Sequence, residues 1–480
     1  MKRNNAGDGF AAGAGIAIRS ADVAAVISSR CSDSALHSDV CVDDWIENAR
    51  QKASLDTMLV PLDAMEQWNR DPGSGSISHE SGRFFSVIGV HVRHRVDRDE
   101  LEWDQPIIEQ PETGILGVLA KRIDGILHFC LQAKEEPGNI GKMQISPTVQ
   151  ATYSNYTGVH GGSGPLFLEQ FMSLDHSRVL FARLQTEDGG RFLYKSNRNM
   201  IVVVGDDFPL ELPEGFIWLT LRQLVLLMAR DNLVNACTRS ILSSLIFAAG
   251  HRCDSVAEGR RQRVPGGSYD HGEGLRDTLQ WLDDRRAANH MQVKRIGLND
   301  LKEWHVDGKG FFSHLEKRFF RIVGLKVSSG TREVGNWGQP IIENPAAGII
   351  GLLFRNGVDG IELLMQAKAE VGNRSSVQLG PTVQFTQGNY EGSRKLKKPF
   401  LYTEFLEPGQ FCLIHESRQT EEGARFYREY HLHRIMLLPD GVDIEPPLDY
   451  RWLPLEQVVF MVHLGEQVNS CARSVLSCLL

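Results

Sequence analysis

An internal duplication constrains the fold of this 480-residue chain more than any other feature of its sequence. Three segments of the first half recur in the second half, each displaced by the same number of positions. They are WDQPIIEQP and WGQPIIENP, beginning at Trp103 and Trp337; QAKEEPGN and QAKAEVGN, beginning at Gln132 and Gln366; and PTVQATYSNYTG and PTVQFTQGNYEG, beginning at Pro147 and Pro381. Segments of this length do not recur by chance, so the chain is predicted to contain two copies of one folding unit.

The duplication extends beyond these segments. QTEDGGRF from Gln185 is matched by QTEEGARF from Gln419, and NACTRSILSSL from Asn235 by NSCARSVLSCL from Asn469. Between the copies lies a stretch rich in Gly, Arg and Asp without apolar periodicity, which indicates a solvated linker. The predicted organisation is a disordered lead at residues 1–38, a first copy at 39–248, a linker at 249–274 and a second copy at 275–480.

Each copy has the local patterns of a mixed α and β unit. FFSVIGVHVRHRV from Phe84, GILGVLA from Gly114 and DGILHFCLQAK from Asp124 are rich in the β-branched and aromatic residues that favour strands. WLTLRQLVLLMARDNLVNACTRSILSSL from Trp218 has apolar residues at helical spacing, with Thr220 as a predicted N-cap. The fold class is therefore predicted to be α+β, with the sheet first and the helices last in each copy.

Composition and charge exclude several classes of function. A formal net charge of −8 provides no basic field for a nucleic acid partner. The longest apolar runs are far shorter than the roughly 20 residues needed to cross a bilayer, so no membrane contact is expected. The eight cysteines lack a CxxC pair and zinc-ligand spacing, which indicates free thiols, no metal and a cytoplasmic location. The chain also lacks the GxGxxG, GxxxxGK[ST], GxSxG and HExxH signatures of common enzyme classes.

The QAKEEPGN segment places several polar groups where a predicted strand ends. Gln132, Lys134 and Glu135 lie at the end of the strand, and Asn139 follows in the turn. Such positions favour functional residues because the sheet fixes them while the loop keeps them accessible. The alternative is a surface ion pair between Lys134 and Glu136 beside an ordinary turn. Retention of Gln and Lys in both copies favours a ligand site, because a turn alone requires neither.

The PTVQATYSNY segment offers neutral hydrogen-bonding side chains with little charge. Thr148, Gln150, Asn155 and Tyr156 are of this kind, and the threonine and glutamine would share one face of a strand. Hydroxyls and amides suit a polyhydroxylated ligand, since a sugar hydroxyl both donates and accepts. An edge strand with a solvated face is the structural alternative.

Two further residues could hold a nucleotide. Trp103 could stack on a base or a sugar, although core packing explains a tryptophan between apolar runs equally well. Arg191, in the GRF step, could grip a diphosphate with its forked guanidinium, although a structural salt bridge is an equal alternative.

QAKEEPGN followed by SPTVQATYSNY, repeated downstream together with the WxQPIIE segment, resembles the NDP-hexose 2,3-dehydratases of antibiotic deoxysugar pathways. The resemblance covers both copies. It implies tandem Nudix-like units with mixed sheets and flanking helices, a homodimer, and action on dTDP-4-keto-6-deoxy-D-glucose without a redox cofactor. The chain lacks a Nudix box of the GxxxxxEx7REUxEExGU kind, which argues against magnesium-dependent hydrolysis of a pyrophosphate.

The resemblance implies roles for individual side chains. Lys134 is predicted to stabilise the enolate or to transfer a proton, and Glu135 or Tyr156 to act as the complementary acid or base. The predicted substrate-binding residues are Trp103, Gln132, Asn139, Thr148, Gln150, Asn155 and Arg191. A second, vestigial site that binds ligand without turning it over is predicted at Trp337, Gln366, Lys368, Asn373, Thr382, Gln384, Asn389, Tyr390 and Arg425.

The two sites are not equivalent. The first copy has Glu135 and Ser146 where the second has Ala369 and Gly380, so the first is predicted to be catalytic. Two alternatives remain open. A binding protein with two similar sites would bind a nucleotide sugar without changing it, and a ketosugar epimerase would exchange the C3 proton without losing water.

Overall fold

The computed structural model of the protein describes residues 19–96, 99–152, 164–172, 175–249, 273–330, 335–358, 360–391 and 396–480. The helices are α1 Ser20–Cys31, α2 Asp39–Lys52, α3 Glu169–Met172, α4 Leu221–Met228, α5 Ala236–Leu242, α6 Glu273–Ala288, α7 Gln387–Tyr390, α8 Tyr402–Leu406, α9 Leu455–Leu464 and α10 Ser470–Leu476. The strands of the first copy are β1 Asp56–Val60, β2 Trp68–Arg70, β3 Ile77–His79, β4 Ser86–Val96, β5 Asp99–Glu109, β6 Ile115–Ile123, β7 Ile126–Glu135, β8 Met143–Pro147, β9 Val149–Ala151, β10 Val179–Thr186, β11 Phe192–Leu193, β12 Ser196–Val203 and β13 Phe216–Thr220. Those of the second copy are β14 Gln292–Ile296, β15 Trp304–Val306, β16 Phe312–His314, β17 Arg321–Ser328, β18 Asn336–Glu343, β19 Gly348–Gly357, β20 Gly360–Ala369, β21 Val377–Gly380, β22 Val383–Thr386, β23 Cys412–Thr420, β24 Tyr430–Leu437 and β25 Tyr450–Pro454.

Each copy builds one large mixed sheet, and the two large sheets have the same topology. In the first copy the strand order is β10-β12-β6-β7-β13, with β8 paired to β7 and β9 to β6. In the second copy β23-β24-β19-β20 follow the same path, and β21, β22 and β25 take the places of β8, β9 and β13. The pairs β6–β12 and β19–β24 are parallel, whereas their neighbours are antiparallel. The predicted α+β class and the duplication are confirmed.

The copies exchange one strand each between their smaller sheets. Strand β1 of the first copy pairs antiparallel with β17 of the second, from Asp56 opposite Ser328 to Val60 opposite Gly324. Strand β14 of the second copy pairs in the same way with β4 of the first. Each smaller sheet therefore contains a strand from the other copy, which fixes the relative position of the copies.

Several elements expected from the sequence are present. The three predicted strands appear as β4, β6 and β7, and the apolar stretch near the end of the first copy forms α4 and α5. Thr220 caps α4. Its hydroxyl accepts a hydrogen bond from the backbone amide of Gln223, and the Gln223 side-chain oxygen accepts one from the backbone amide of Thr220.

The predicted disordered lead contains a buried helix. In α1, Val23, Val26 and Ile27 lie on one face at helical spacing and pack into the main core. This burial explains why residues 20–31 are ordered. The predicted linker, apart from Ala249 and residues 273–274, lies outside the described residues. Within the described ranges, every cysteine is free and no helix is long and apolar enough to cross a membrane.

Two buried arginines join the copies near the point where their helices meet. Arg239 in α5 donates through Nη2 to the Thr420 carbonyl oxygen and through Nε to Ser474 Oγ. Arg473 in α10 makes the equivalent bonds to the Thr186 carbonyl and to Ser240 Oγ. Thr186 and Thr420 end strands β10 and β23 and begin the loops of the QTEDGGRF and QTEEGARF segments, which we call the QTE loops. Each arginine therefore fixes the start of the QTE loop of the opposite copy.

Candidate active site

Lys134 and Glu136 form an ion pair at the end of β7. Lys134 Nζ lies 3.1 Å from Glu136 Oε1. The pair is not a surface contact, because Glu136 is only 4% exposed. Its Oε2 is buried without a hydrogen-bond partner among the described residues. A buried carboxylate oxygen of this kind is costly to leave unpaired and is available to a ligand.

The turn after β7 is closed by Asn139. Its Nδ2 donates to the carbonyl oxygens of Lys134, at 3.0 Å, and Lys142, at 3.3 Å. Its backbone amide donates to the Glu136 carbonyl. These bonds hold the Lys134–Glu136 segment in place, so Asn139 positions the ion pair through the backbone of the turn.

Gln150 connects this ion pair to a carboxylate of the other copy. Its Nε2 donates to Glu136 Oε1 at 3.0 Å and to Glu422 Oε1 at 2.9 Å. Glu422 follows strand β23 in the QTEEGARF segment of the second copy. The amide therefore bridges two carboxylates contributed by different copies.

Backbone contacts hold the Glu422 loop against the turn after β7. The Gly138 amide donates to the Gly423 carbonyl over 2.7 Å, and the Arg428 amide donates to the Gly138 carbonyl over 2.8 Å. A Cβ atom at Gly138 would lie 1.7 Å from the Phe426 carbonyl oxygen, so only glycine permits this approach. Each copy supplies one half of the first site.

Burial and neighbouring charges perturb the titration of Glu422. Desolvation and the carboxylates of Glu136 and Glu187 raise its pKa to about 7, although Arg425 and Lys134 oppose the shift. Glu422 is surrounded by protein atoms yet keeps a partly exposed surface, because it lines a cavity between the copies. It can therefore carry a proton near neutral pH and still meet a ligand.

The second copy forms a related site with a different hydrogen-bond pattern. Glu370 Oε1 accepts from Gln384 at 3.1 Å and from Asn469 at 3.3 Å, and its Oε2 accepts from Asn373 at 3.0 Å. Lys368 contributes a charge that lowers the pKa of Glu370, but burial raises that pKa overall. The first copy completes this site with its own QTE loop.

This second loop approaches as closely as the first. The Gly372 amide donates to the Gly189 carbonyl over 2.7 Å, and the Tyr194 amide donates to the Gly372 carbonyl over the same distance. At the position of Glu422 this loop has Asp188, whose side chain is one methylene shorter. Its Oδ1 accepts from the Gly190 amide at 2.8 Å. The two sites thus have equivalent backbone hydrogen bonds between the turn and the loop, and they differ in the carboxylate that the loop carries.

A cavity lined by residues of both copies lies between the two sites. Glu187, Asp188, Glu421 and Glu422 line it together with Arg473. Burial, with the charges of Asp188 and Glu429, raises the pKa of Glu421 to about 8. The cavity therefore contains two carboxyl groups, Glu421 and Glu422, whose pKa values are raised.

Glu429 and His431 lie beside the cavity in the second copy, with His431 Nε2 3.4 Å from Glu421 Oε1. Glu429 Oε1 accepts from Asn344 Nδ2 at 3.0 Å, and burial raises the pKa of Glu429 to about 7. The Gly348 amide donates to His431 Nδ1, so Nε2 carries the ring proton and faces Glu429 at 3.6 Å. Burial lowers the pKa of His431 to about 3, which keeps the ring neutral.

Several predicted site residues have bonds within the protein scaffold. Gln132 Nε2 donates to the carbonyl of Pro147 at 2.9 Å. The buried hydroxyl of Thr148 accepts from the Leu119 amide and donates to the Cys130 carbonyl, so it joins β6 to β7. Thr382 makes the equivalent bonds in the second copy. The two threonine hydroxyls therefore have a structural role.

Glu135 lies apart from the Lys134 side chain. Because neighbouring residues of a strand face opposite ways, Glu135 points away from Lys134. Its Oε2 accepts from the Leu55 amide at 2.7 Å. Glu136 is the carboxylate that pairs with Lys134. The predicted Asn155 and Tyr156 lie outside the described residues.

The two predicted tryptophans support the loops that carry Arg191 and Arg425 to the other copy. Trp103 Nε1 donates to Gln105, whose amide donates to the Gly190 carbonyl beside Arg191. Trp337 makes the same link through Gln339 to the Ala424 carbonyl beside Arg425.

The two arginines are therefore exchanged between the predicted sites. Arg425 lies near Glu422 and Glu136 of the first site, whose charges act on it, and its guanidinium lies over the Phe85 ring at 4.1 Å. Arg191 belongs to the loop of the second site and lies over the Phe320 ring at 4.0 Å. The sequence grouped each arginine with the strand of its own copy, whereas the fold places it beside the strand of the other.

The remaining residues of the predicted second site lie near β20 and after β22. Gln366 is paired with Gly380 and Tyr450 in the sheet. Tyr390 packs against the rings of Phe385 and Tyr402, and burial raises its pKa. The Oδ1 atom of Asn389 is buried without a partner among the described residues.

Sequence reasoning missed Glu422 and Asn235 as site residues. Asn235 caps α5 with its side-chain oxygen, while its Nδ2 donates to Ser146 Oγ at 2.8 Å beside Gln150. The sequence did contain a signal for both residues, because the QTE segment and the asparagine are retained in both copies. The repeat did not show that the QTE loop crosses to the opposite copy.

Comparison with known proteins gives a consistent result for the whole chain. The family model described as NDP-hexose 2,3-dehydratase matches residues 39–245 and again residues 275–479. Proteins named dTDP-4-dehydro-6-deoxy-alpha-D-glucopyranose 2,3-dehydratase are similar over most of their length. The one from Saccharopolyspora spinosa is 35% identical over 91% of this chain and 90% of its own. The one from Streptomyces violaceoruber is 37% identical over 87% and 91%, respectively.

Proposed function

Since this chain belongs to the NDP-hexose 2,3-dehydratase family and is an enzyme of that class, we propose that it removes water from dTDP-4-keto-6-deoxy-D-glucose. The product is dTDP-3,4-diketo-2,6-dideoxy-D-glucose. The names of the relatives support this substrate, because they specify the same 4-keto sugar.

The buried Lys134–Glu136 pair is the observation that supports this chemistry best. A 4-keto sugar has an acidic C3 proton, because the neighbouring carbonyl stabilises the resulting enolate. An ammonium group beside a carboxylate supplies both requirements of this step, a donor for the enolate oxygen and a base for the proton. Lys134 stabilises the charge that develops on O4, and Glu136 takes the C3 proton.

Glu136 replaces Glu135 in this assignment for geometric reasons. Glu136 lies 3.1 Å from Lys134 and has an unpartnered buried oxygen, whereas Glu135 bonds to the Leu55 amide. Tyr156 stays a predicted acid or base. Gln132, Gln150 and Arg425 are the described groups of the first site that supply polar contacts for the nucleotide sugar.

The family resemblance carries further predictions. The units are Nudix-like and the protein is a homodimer. The residue differences between the copies predict that the first site is the catalytic one, and the free cysteines predict a cytoplasmic location. No redox cofactor takes part, because elimination of water and tautomerisation leave the number of electrons unchanged.

Mass spectrometry of the purified protein with dTDP-4-keto-6-deoxy-D-glucose tests the function. The unstable diketo product is trapped with a 3-ketoreductase and its nicotinamide cofactor. We expect a nucleotide sugar lighter by one water before reduction, or its reduced form after trapping. Unchanged substrate that nevertheless binds would establish a binding protein, and deuterium uptake at C3 without loss of water would establish an epimerase.

A further inference from the structure

The first site contains a second carboxylate whose role the ion pair does not explain. Glu422 comes from the second copy and meets Gln150 of the first at 2.9 Å. Gln150 also donates to Glu136 from the same nitrogen. The two N–H bonds of an amide diverge widely, so the two carboxylate oxygens lie roughly 5 Å apart.

We propose that Glu422 is a catalytic residue, the general acid that protonates the departing C2 hydroxyl while Glu136 accepts the C3 proton. This inference rests on the proposed dehydration. In this inference both copies contribute to the catalytic site, with the base on the first copy and the acid on the second.

The two carboxylates have different charged neighbours. The Lys134 ammonium, 3.1 Å away, stabilises a negative charge on Glu136. Glu422 is bridged to that negative charge and lies in a cavity with Glu187, so burial and the two carboxylates raise its pKa to about 7. Two carboxyl groups whose environments differ in this way can divide the roles of base and acid at neutral pH.

The reaction balances with these two groups alone. Glu136 removes the C3 proton, the C2–O bond breaks, and the proton of Glu422 joins the hydroxide, which leaves as water. The enol at C3 then loses its hydroxyl proton to Glu422, and C2 receives the proton held by Glu136. Both carboxyl groups return to their starting states, and no oxidant or reductant is consumed.

The second site does not contain the same pair. Asp188 stands at the position of Glu422, and its carboxylate accepts from the Gly190 amide. Gln384 donates to Glu370, and Asn469 donates to both of them. Thus Glu370 is held by amides where Glu136 is held by an ammonium and one bridging amide.

Ser146 explains why the Asn235 amide does not reach Glu136 as the Asn469 amide reaches Glu370. In the first copy its hydroxyl receives the Asn235 amide at 2.8 Å, which directs that amide away from Glu136. The second copy has Gly380 at this position and offers no hydroxyl, so the Asn469 amide turns to Glu370. The second oxygen also differs, because Asn373 donates to Oε2 of Glu370, whereas the equivalent Asn139 donates to the Lys134 and Lys142 carbonyls and leaves Oε2 of Glu136 without a partner among the described residues.

The test compares wild-type protein with the Glu422→Gln, Glu422→Asp and Glu136→Gln variants in D₂O. Mass spectrometry follows two events, loss of water from dTDP-4-keto-6-deoxy-D-glucose and deuterium uptake at C3 of the remaining substrate. Glu429→Gln is the matched control, since Glu429 is a buried carboxylate of the same copy that bonds to Asn344 and not to Gln150.

We expect Glu422→Gln to lose at least about a hundredfold in the rate of water loss, while C3 exchange continues because the base is intact. Glu136→Gln should lose both events. Glu422→Asp should recover part of the dehydration, and Glu429→Gln should keep the wild-type rate. Unfolding temperatures and dTDP binding of the variants establish that the comparison is between folded proteins.

Two results would overturn the inference. One is dehydration by a folded Glu422→Gln variant within about threefold of wild type, a change too small for the loss of a general acid. The other is loss of C3 exchange together with dehydration in that variant, which would assign Glu422 to binding or to the base. If the wild-type protein itself failed to dehydrate the sugar, the proposed function and this inference would fall together.

Discussion

The side-chain amide of Gln150 donates to the carboxylate of Glu422 over 2.9 Å, although the two residues are 272 positions apart. The contact exists because each QTE loop leaves its own large sheet and lies against the turn of the opposite copy. The backbone bonds at Gly138 and Gly423 fix that position. A duplicated chain can in this way build two sites, each from parts of both copies.

Replacement of Lys134 by Met should remove the charge that stabilises the enolate. We expect kcat to fall by about a hundredfold or more, the usual loss for one preorganised donor to a developing oxyanion. Lys368→Met is the matched change in the second copy and should lower kcat far less. Steady-state kinetics with the 4-keto sugar measure both values. Equal losses in the two variants would contradict a single catalytic site at the first copy.

Turnover should depend on pH because Glu422 acts only in its protonated form. Its pKa is raised to about 7, and a general acid acts only while it holds its proton. We therefore expect kcat to fall as pH rises above about 7, by up to tenfold for each further pH unit. The alkaline fall should be absent from the residual activity of Glu422→Gln. A wild-type rate that does not change between about pH 7 and pH 9 would argue against this acid.

Stability should decrease with pH because of Glu429. Burial raises its pKa from 4.5 to about 7, so the folded state holds this proton more tightly than the unfolded state. The associated stability is present below pH 4.5 and is lost as pH rises through about 7, an effect on the order of 3 kcal/mol at most.

Urea unfolding at several pH values measures this loss. The Glu429→Gln variant has no proton to lose, so its free energy of unfolding should decline less than that of wild type over the same pH range. The exposed Glu80 provides the control, since Glu80→Gln should follow the wild-type curve. Parallel curves for Glu429→Gln and wild type would contradict the prediction.

An alanine at Gly138 should disrupt the contact between the copies. Its Cβ would lie 1.7 Å from the Phe426 carbonyl, so the loop that carries Glu422 must move. We expect a loss of about 1–3 kcal/mol in stability together with a fall in kcat. Gly372→Ala, which meets the Phe192 carbonyl at 1.7 Å, should cost similar stability but less activity.

Gly308 provides a control for the alanine change itself, because a Cβ there meets no atom within 4 Å. Thermal unfolding and kinetics of the three variants measure the two effects separately. A Gly138→Ala protein with wild-type stability and turnover would show that the close approach of the loop is not needed.

Local sequence patterns predicted the elements whose signals are contained in short stretches. The β-branched runs predicted β4, β6 and β7, and Thr220 was predicted as the N-cap of α4. Helix α1 was missed, although Val23, Val26 and Ile27 have helical spacing. Its Ala- and Gly-rich neighbourhood has the composition of a flexible terminus, and the helix is stabilised by packing that the local pattern does not contain.

The sequence by itself determined the duplication, the family and the importance of the Lys134 and Gln150 segments, because a repeat preserves residue types that can be read directly along the chain. Only the tertiary structure decided that Glu136 is buried, that Arg425 rather than Arg191 belongs to the first site, and that Glu422 completes it. These facts depend on how the copies dock. The exchange of β1 and β14 and the crossing of the QTE loops bring together residues that are hundreds of positions apart, and no local pattern encodes such a contact.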